Sequence, residues 1–250
     1  MADVTLTYKG STIGELSESG NKTLKTAGKY CDADILLEYA KPEGIDYLRK
    51  SALGQTVDKI TYEDVTNVGD YVFAGIKTKE FDLPNVLDIG TYGMAYTPIE
   101  KAFFPKAKIG QGCFQGCSSL TVVVCEGLTG YTQCGDCRAL RAFDGINITN
   151  NFNYTFNNCT SLQTVILRRN DAITPLQSTA TFTSSPFKNG GTGGTIYIPK
   201  ALFDHLGDGT ALDYKSAFNW STIDGYGTIT WAQIEGSQYE THYADGTEIS

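Results

Sequence analysis

The 250-residue sequence has two histidines, His205 and His242, and no apolar run near the roughly 18 residues that a membrane-spanning helix needs. It is short of positive charge as well: 20 Lys and Arg stand against 28 Asp and Glu, a net charge of −8. Nucleic-acid phosphates call for a basic face, so this balance argues against that class of partner. The opening residues, Met1 to Thr5, lack the basic segment and apolar stretch of a signal peptide, and export by that route is not expected. Missing too are a His-x3-His pair, an EF-hand loop and a Gly-rich phosphate loop leading into Lys-Ser or Lys-Thr. Carboxylates are scattered, and nothing singles out a convergent pair of the glycosidase kind. No catalytic residue, metal ligand or cofactor is assigned.

What the chain does have is a period. With Cys117 as position zero, Leu120 stands at +3, Val123 at +6 and Cys125 at +8. Cys137 repeats the frame with Leu140, Phe143 and Gly145, and Cys159 with Leu162, Val165 and Leu167. Upstream, Tyr96 is followed by Ile99, Ala102 and Phe104, and Gly75 by Thr78, Phe81 and Leu83. Gly54 with Val57, Ile60 and Tyr62 makes a weaker copy, and a last one ending at Ile196 and Ile198 puts its zero at Gly190. Phe at −3 occurs at Phe114 and Phe156, and the early coils lack it. A spacing near 20 with a Leu-x-x-apolar-x-apolar core predicts stacked coils, each giving one short strand, because no single coil can bury its own inward side chains.

Seven cysteines, an odd number without an export signal, suggest reduced thiols. Cys113, Cys117, Cys134 and Cys137 superficially resemble a zinc site. The repeat gives a plainer account: Cys117, Cys137 and Cys159 share the zero position, and buried Cys behaves as a small hydrophobe.

The expected fold class is mainly β with short helices. A small N-terminal β module at 1–43 comes first, then a linker and short helical lead-in at 44–53. A leucine-rich-repeat-like solenoid follows at 54–199, interrupted by the polar stretch 177–186, and a C-terminal α/β cap and tail occupies 200–250, with an amphipathic helix at 200–206 and a second helix at 211–220. If +6 and +8 point inward, +5 and +7 point out, because strand side chains alternate. Read along the stack, the early outward positions are charged (Lys59, Glu80, Asp82). Later ones form a stripe that includes Lys101, Phe103, Val122, Val124, Ile166 and Tyr197, too apolar to be left wet. Strand propensity alone would account for the Val, Ile and Tyr. The sharper reading is that another chain covers the stripe, which makes these six the candidate partner-binding residues.

Thr7-Tyr8-Lys9-Gly10-Ser11-Thr12-Ile13, with Lys22 to Tyr30 and Asp34-Ile35, resembles the small N-terminal module of structural proteins from tailed phages and prophages of Gram-positive gut bacteria. The repeats resemble BspA-type leucine-rich repeats, found in bacterial surface proteins and in such phage proteins. The resemblance implies a non-enzymatic virion component of a tail, baseplate, fibre or head decoration, assembled in the bacterial cytoplasm. Its implied partners are other virion proteins, docked through the N-terminal module, and a host surface glycan or protein, and it would be homo-oligomeric. A bacterial cell-surface adhesion protein of the same repeat class is the alternative. A glycan-processing enzyme is third, since it demands a cleft with two convergent carboxylates.

Overall fold

The computed structural model describes residues 4–8, 11–16, 23–24, 57–61, 65–148, 154–169, 193–210, 212–217 and 228–249. Gly54, Gly190, the lead-in at 45–53 and the insertion at 177–186 lie outside them. Within the described residues the protein is mainly β. A hairpin pairs β1 (Val4–Tyr8) with β2 (Ser11–Leu16), antiparallel. The remaining strands are β3 (Thr23–Leu24), β4 (Val57–Thr61), β5 (Asn67–Val68), β6 (Thr78–Asp82), β7 (Asp88–Ile89), β8 (Lys101–Ile109), β9 (Val122–Leu128), β10 (Ala142–Gly145), β11 (Thr164–Leu167), β12 (Gly193–Ile198) and β13 (Thr228–Gln233). Nine of these form one parallel sheet in the order β13-β12-β11-β10-β9-β8-β7-β5-β3, and β4 pairs with β6 separately. Among the described residues two short helices follow β12: α1 (Lys200–Phe203) and α2 (Tyr214–Ala217).

Sequence order along the sheet is what stacked coils require. The register matches the repeat frame: Val122 pairs with Ala142, Ala142 with Thr164, and Thr164 with Thr195. Leu120, Leu140 and Leu162 are all buried in one core cluster, one column of the interior. Val123, Phe143, Val165 and Ile196 make the next column, from successive strands in register. At Thr78 the leucine column is interrupted by a fully buried hydroxyl without a hydrogen-bond partner.

Each strand is entered through a turn that repeats its backbone as well as its sequence. Two residues per turn have left-handed φ: Tyr71 and Gly75, Tyr92 and Tyr96, Gly112 and Gly116, Thr132 and Asp136, Tyr154 and Asn158. Between them, Phe73, Met94, Phe114, Cys134 and Phe156 point into the core and are almost wholly buried. Alternate N–H groups close the turn locally, as from Cys117 to the Phe114 carbonyl at 3.1 Å. The others cross to the following coil: Phe73 to Gly93 at 2.8 Å, Met94 to Cys113 at 3.1 Å, Phe114 to Gln133 at 2.8 Å and Cys134 to Thr155 at 2.9 Å. Backbone donors that would otherwise be orphaned are thereby paired. Left-handed φ disfavours a side chain, and ring packing accompanies it here. Tyr71 stacks on Tyr92 at 5.2 Å, and the Tyr92 ring lies where a Cβ on Gly112 would stand.

The turns correct the repeat frame at two coils. The residue after the second left-handed position is Cys117, Cys137 or Cys159 in the later coils, but Thr97 and Ile76 in the earlier ones, not Tyr96 and Gly75. Strand register nonetheless pairs Lys101 with Val122. The link from turn to strand is therefore one residue shorter in the early coils, and Phe73 and Met94 take the place that Phe114 and Phe156 hold.

The zero position suits a small weak donor. The thiols of Cys117, Cys137 and Cys159 donate to the carbonyls of Met94, Phe114 and Cys134 in the preceding coil, at 3.2, 3.0 and 3.0 Å. The Thr97 hydroxyl donates to Met94 of its own turn at 2.9 Å. The thiol and the hydroxyl both serve the carbonyl at the bottom of the turn.

Candidate functional site

Between β8 and β12 the outer face of the sheet is covered. The C-terminal segment after β13 folds into a 3-10 turn, Gln238–Glu240, and a small hairpin in which His242 bridges Glu248. This knob lies across the row formed by Phe103, Val124, Asp144, Ile166 and Tyr197, which register places side by side on adjacent strands. Tyr243 meets Phe103 edge-on at 5.6 Å, and Tyr239 meets Tyr197 edge-on at 4.8 Å. Val124 and Ile166 are 0% exposed and Val122 is 6% exposed.

A charged clasp sits at the centre of this contact. Arg168, just past β11, donates from Nε and Nη2 to the two carboxylate oxygens of Asp144 at 2.6 and 2.7 Å. Its guanidinium also donates to the Tyr239 carbonyl at 2.5 Å and the His242 carbonyl at 2.9 Å, and lies 5.2 Å from the centre of the Tyr243 ring. Asp144 accepts the Ala244 N–H at 2.9 Å as well. Burial pushes the Asp144 carboxyl up from its ordinary range, against the pull of Arg168 and of that N–H. A carboxylate held at zero side-chain exposure depends on such partners, because an unpaired buried charge is strongly unfavourable.

Of the six residues expected to await another chain, then, Val122, Val124 and Ile166 are buried. Phe103 and Tyr197 are half-buried against tyrosines of the same chain. Lys101 alone is exposed. The expectation of a free apolar stripe is corrected here. The apolarity of Val124 and Ile166 reflects cover, and the cover at this row comes from the protein's own C-terminal segment.

Where the knob ends, the wall opens. The Glu100 N–H donates to the Lys79 carbonyl at 3.2 Å, after which β6 and β8 part, β6 pairing with β4 and β8 with β9. A groove of about 550 Å³ lies between them, with Phe81, Leu83 and Phe104 in its floor and Lys101, Phe103 and Asp245 among its walls. Charges on the β6 side are already engaged, Lys59 reaching Glu80 at 2.9 Å and Asp82 at 3.0 Å.

Little in this geometry favours group transfer. The six described thiols, Cys113, Cys117, Cys125, Cys134, Cys137 and Cys159, are free and buried. Burial raises each of them, Cys117 to about 11, so the thiolate that a nucleophile needs is suppressed. Among the described residues no cluster of three His, Cys, Asp or Glu could hold a metal ion. His205 pairs with Asp208 at 2.7 Å, and His242 with the Thr241 hydroxyl at 2.8 Å.

Residues 53–137 match, in six copies, the family model for the BspA type leucine rich repeat region. Over those residues the sequence is similar to BspA-type leucine-rich repeats. Beyond the matched residues the coils continue in register to β12. No curated protein matches the sequence. Among solved structures, a leucine-rich repeat protein from Bacteroides ovatus is similar at 14% identity with a TM-score of 0.32. The alignment covers 73% of this chain and 55% of that one, so this chain spans about half the length of its relative. No helix among the described residues is long and apolar enough to cross a membrane.

Proposed function

We propose that the protein is a non-enzymatic binding scaffold of a bacteriophage virion, in the tail, baseplate, fibre or head decoration. In this reading the repeats hold a rigid wall and the N-terminal module docks it on other virion proteins. One observation carries the binding role. The charged groups on the wall tie neighbouring coils together, as Lys59 does with Glu80 and Asp82, and Lys79 with Glu100 at 3.4 Å, instead of converging on a reacting centre. The groove beside Lys101 and Phe103 is open among the described residues and is the contact we assign to a partner. The virion setting rests on the resemblance of Thr7–Ile13 and Lys22–Tyr30 to a phage module.

The match of residues 53–137 to BspA-type repeats favours a second reading, a bacterial cell-surface adhesion protein. Particle composition separates the two. With an epitope tag on the chain, purified particles from an induced host should contain it at stoichiometric level, and an electron-microscopy map should locate it. Absence from particles, with labelling by a membrane-impermeant reagent on intact cells, would overturn the virion reading in favour of the surface one.

A further inference from the structure

We propose that the outer face between β8 and β12 is a peptide-binding site, and that Gln238–Glu248 is the ligand filling it within one chain. The ligand class is a short hairpin carrying two tyrosines four residues apart, Tyr-x3-Tyr, followed by a free backbone N–H. The site accepts it when supplied by a separate molecule, a second copy of this chain included. This inference does not depend on where the protein operates.

The division of labour across the contact carries the argument. The side chains that form the clasp's hydrogen bonds, Asp144 and Arg168, belong to the wall. The segment supplies main chain to them: the carbonyls of Tyr239 and His242 and the N–H of Ala244. To these it adds two rings, one on each aromatic end of the row, at Tyr197 and Phe103. Backbone reading with two side-chain anchors is how docked peptides are recognised generally.

The segment is also closed on itself. The Tyr243 N–H donates to the Thr247 carbonyl at 2.8 Å, the Ile249 N–H to Thr241 at 2.9 Å and the Tyr239 N–H to the Ser237 hydroxyl at 3.2 Å. The Asp245 carboxylate holds both the Thr247 N–H and its hydroxyl, at 3.0 and 2.8 Å. A ligand so preorganised loses less freedom on docking. Four residues, Ile234 to Ser237, connect it to β13, and that tether is what keeps a separate copy out: attachment gives the built-in segment an effective concentration on the order of millimolar.

The test keeps the full chain. A protease recognition sequence placed between Glu235 and Gly236 allows the protein to fold before the tether is cut. A fluorescent synthetic peptide of residues 237–250 is then titrated and followed by polarisation. Cut protein should bind it saturably and uncut protein should not. Tyr243→Ala in the peptide, or Arg168→Met in the protein, should weaken binding by at least about ten-fold. If the cut segment leaves, the wall keeps its circular dichroism and no peptide binds, the proposal is overturned. It is equally overturned if cutting unfolds the wall, since the segment is then part of the fold and not a ligand, or if the Arg168→Met protein binds as well as the parent.

Discussion

Replacing Gly110 by alanine would put a methyl carbon 2.7 Å from the carbonyl carbon of Gly90, and 2.9 Å from the carbonyl oxygens of both Gly90 and Ile89. These are backbone atoms of the preceding coil, and the Gly110 N–H already donates to the Ile89 carbonyl at 2.7 Å. No side chain can swing aside, so the strain can be relieved only by prising two coils apart. Overpacking of this kind costs about 1–3 kcal/mol. Gly127 provides the control. A Cβ there would find Asn147 O at 3.5 Å and Lys108 Cγ at 3.6 Å, ordinary contacts. Neither glycine has positive φ, so backbone handedness enters neither comparison. Removing a strand glycine without a clash stabilises by roughly 0.5–1 kcal/mol. Gly110→Ala should therefore lower the urea midpoint, followed by tryptophan fluorescence and circular dichroism, and Gly127→Ala should leave it unchanged or raise it. Equal midpoints for the two variants would refute the claim that stacking distance, and not the loss of glycine itself, decides the outcome.

Arg168→Met leaves Asp144 buried without its counter-charge and should destabilise by about 3–5 kcal/mol, while Asp144→Leu combined with Arg168→Met should lie closer to the parent. A loss below about 1 kcal/mol in the single variant, read from the same denaturation curves, would contradict the buried clasp. Leu140→Ala, in the middle of the leucine column, should cost about 2–5 kcal/mol, and amide exchange should accelerate in the coils on both sides of it. The six described thiols should stay unmodified by an aromatic disulfide reagent in native protein at about pH 9, because burial raises them above the ordinary thiol range. Six more should react once the chain is unfolded, and native reaction at Cys137 would show the interior to be open.

The repeat was legible because its physics is local and periodic. Cys117, Cys137 and Cys159 with Leu120, Leu140 and Leu162 announce themselves at a spacing that only stacking explains. The one-residue slip at Thr97 and Ile76 was hidden because strand spacing and turn spacing are separate quantities, and the strand frame alone cannot report a shorter link such as the one through Pro98. Phe73 was missed for that reason. Val124 and Ile166 are buried, but the sequence pointed to another chain as their cover. What covers them could not be read, because Tyr239, Tyr243 and Ala244 look like ordinary tail residues and meet Phe103, Asp144 and Arg168 across distances in sequence that no local pattern spans. Asp144 stood at an outward position, where a carboxylate looks solvated until its partners are known.

The turn ladder gives the molecule a direction. At Phe73, Met94, Phe114 and Cys134 the crossing N–H groups all aim toward the C-terminal neighbour, so those peptide dipoles add along the pile like coins stacked heads up. Two copies meeting end to end through such turns would fit only by translation, donors of one against acceptors of the other, since a two-fold contact sets donor against donor. Translation has no built-in stopping point and yields open-ended rods. The two ends of the pile must therefore be finished with different chemistry, one to silence acceptors and the other to silence donors.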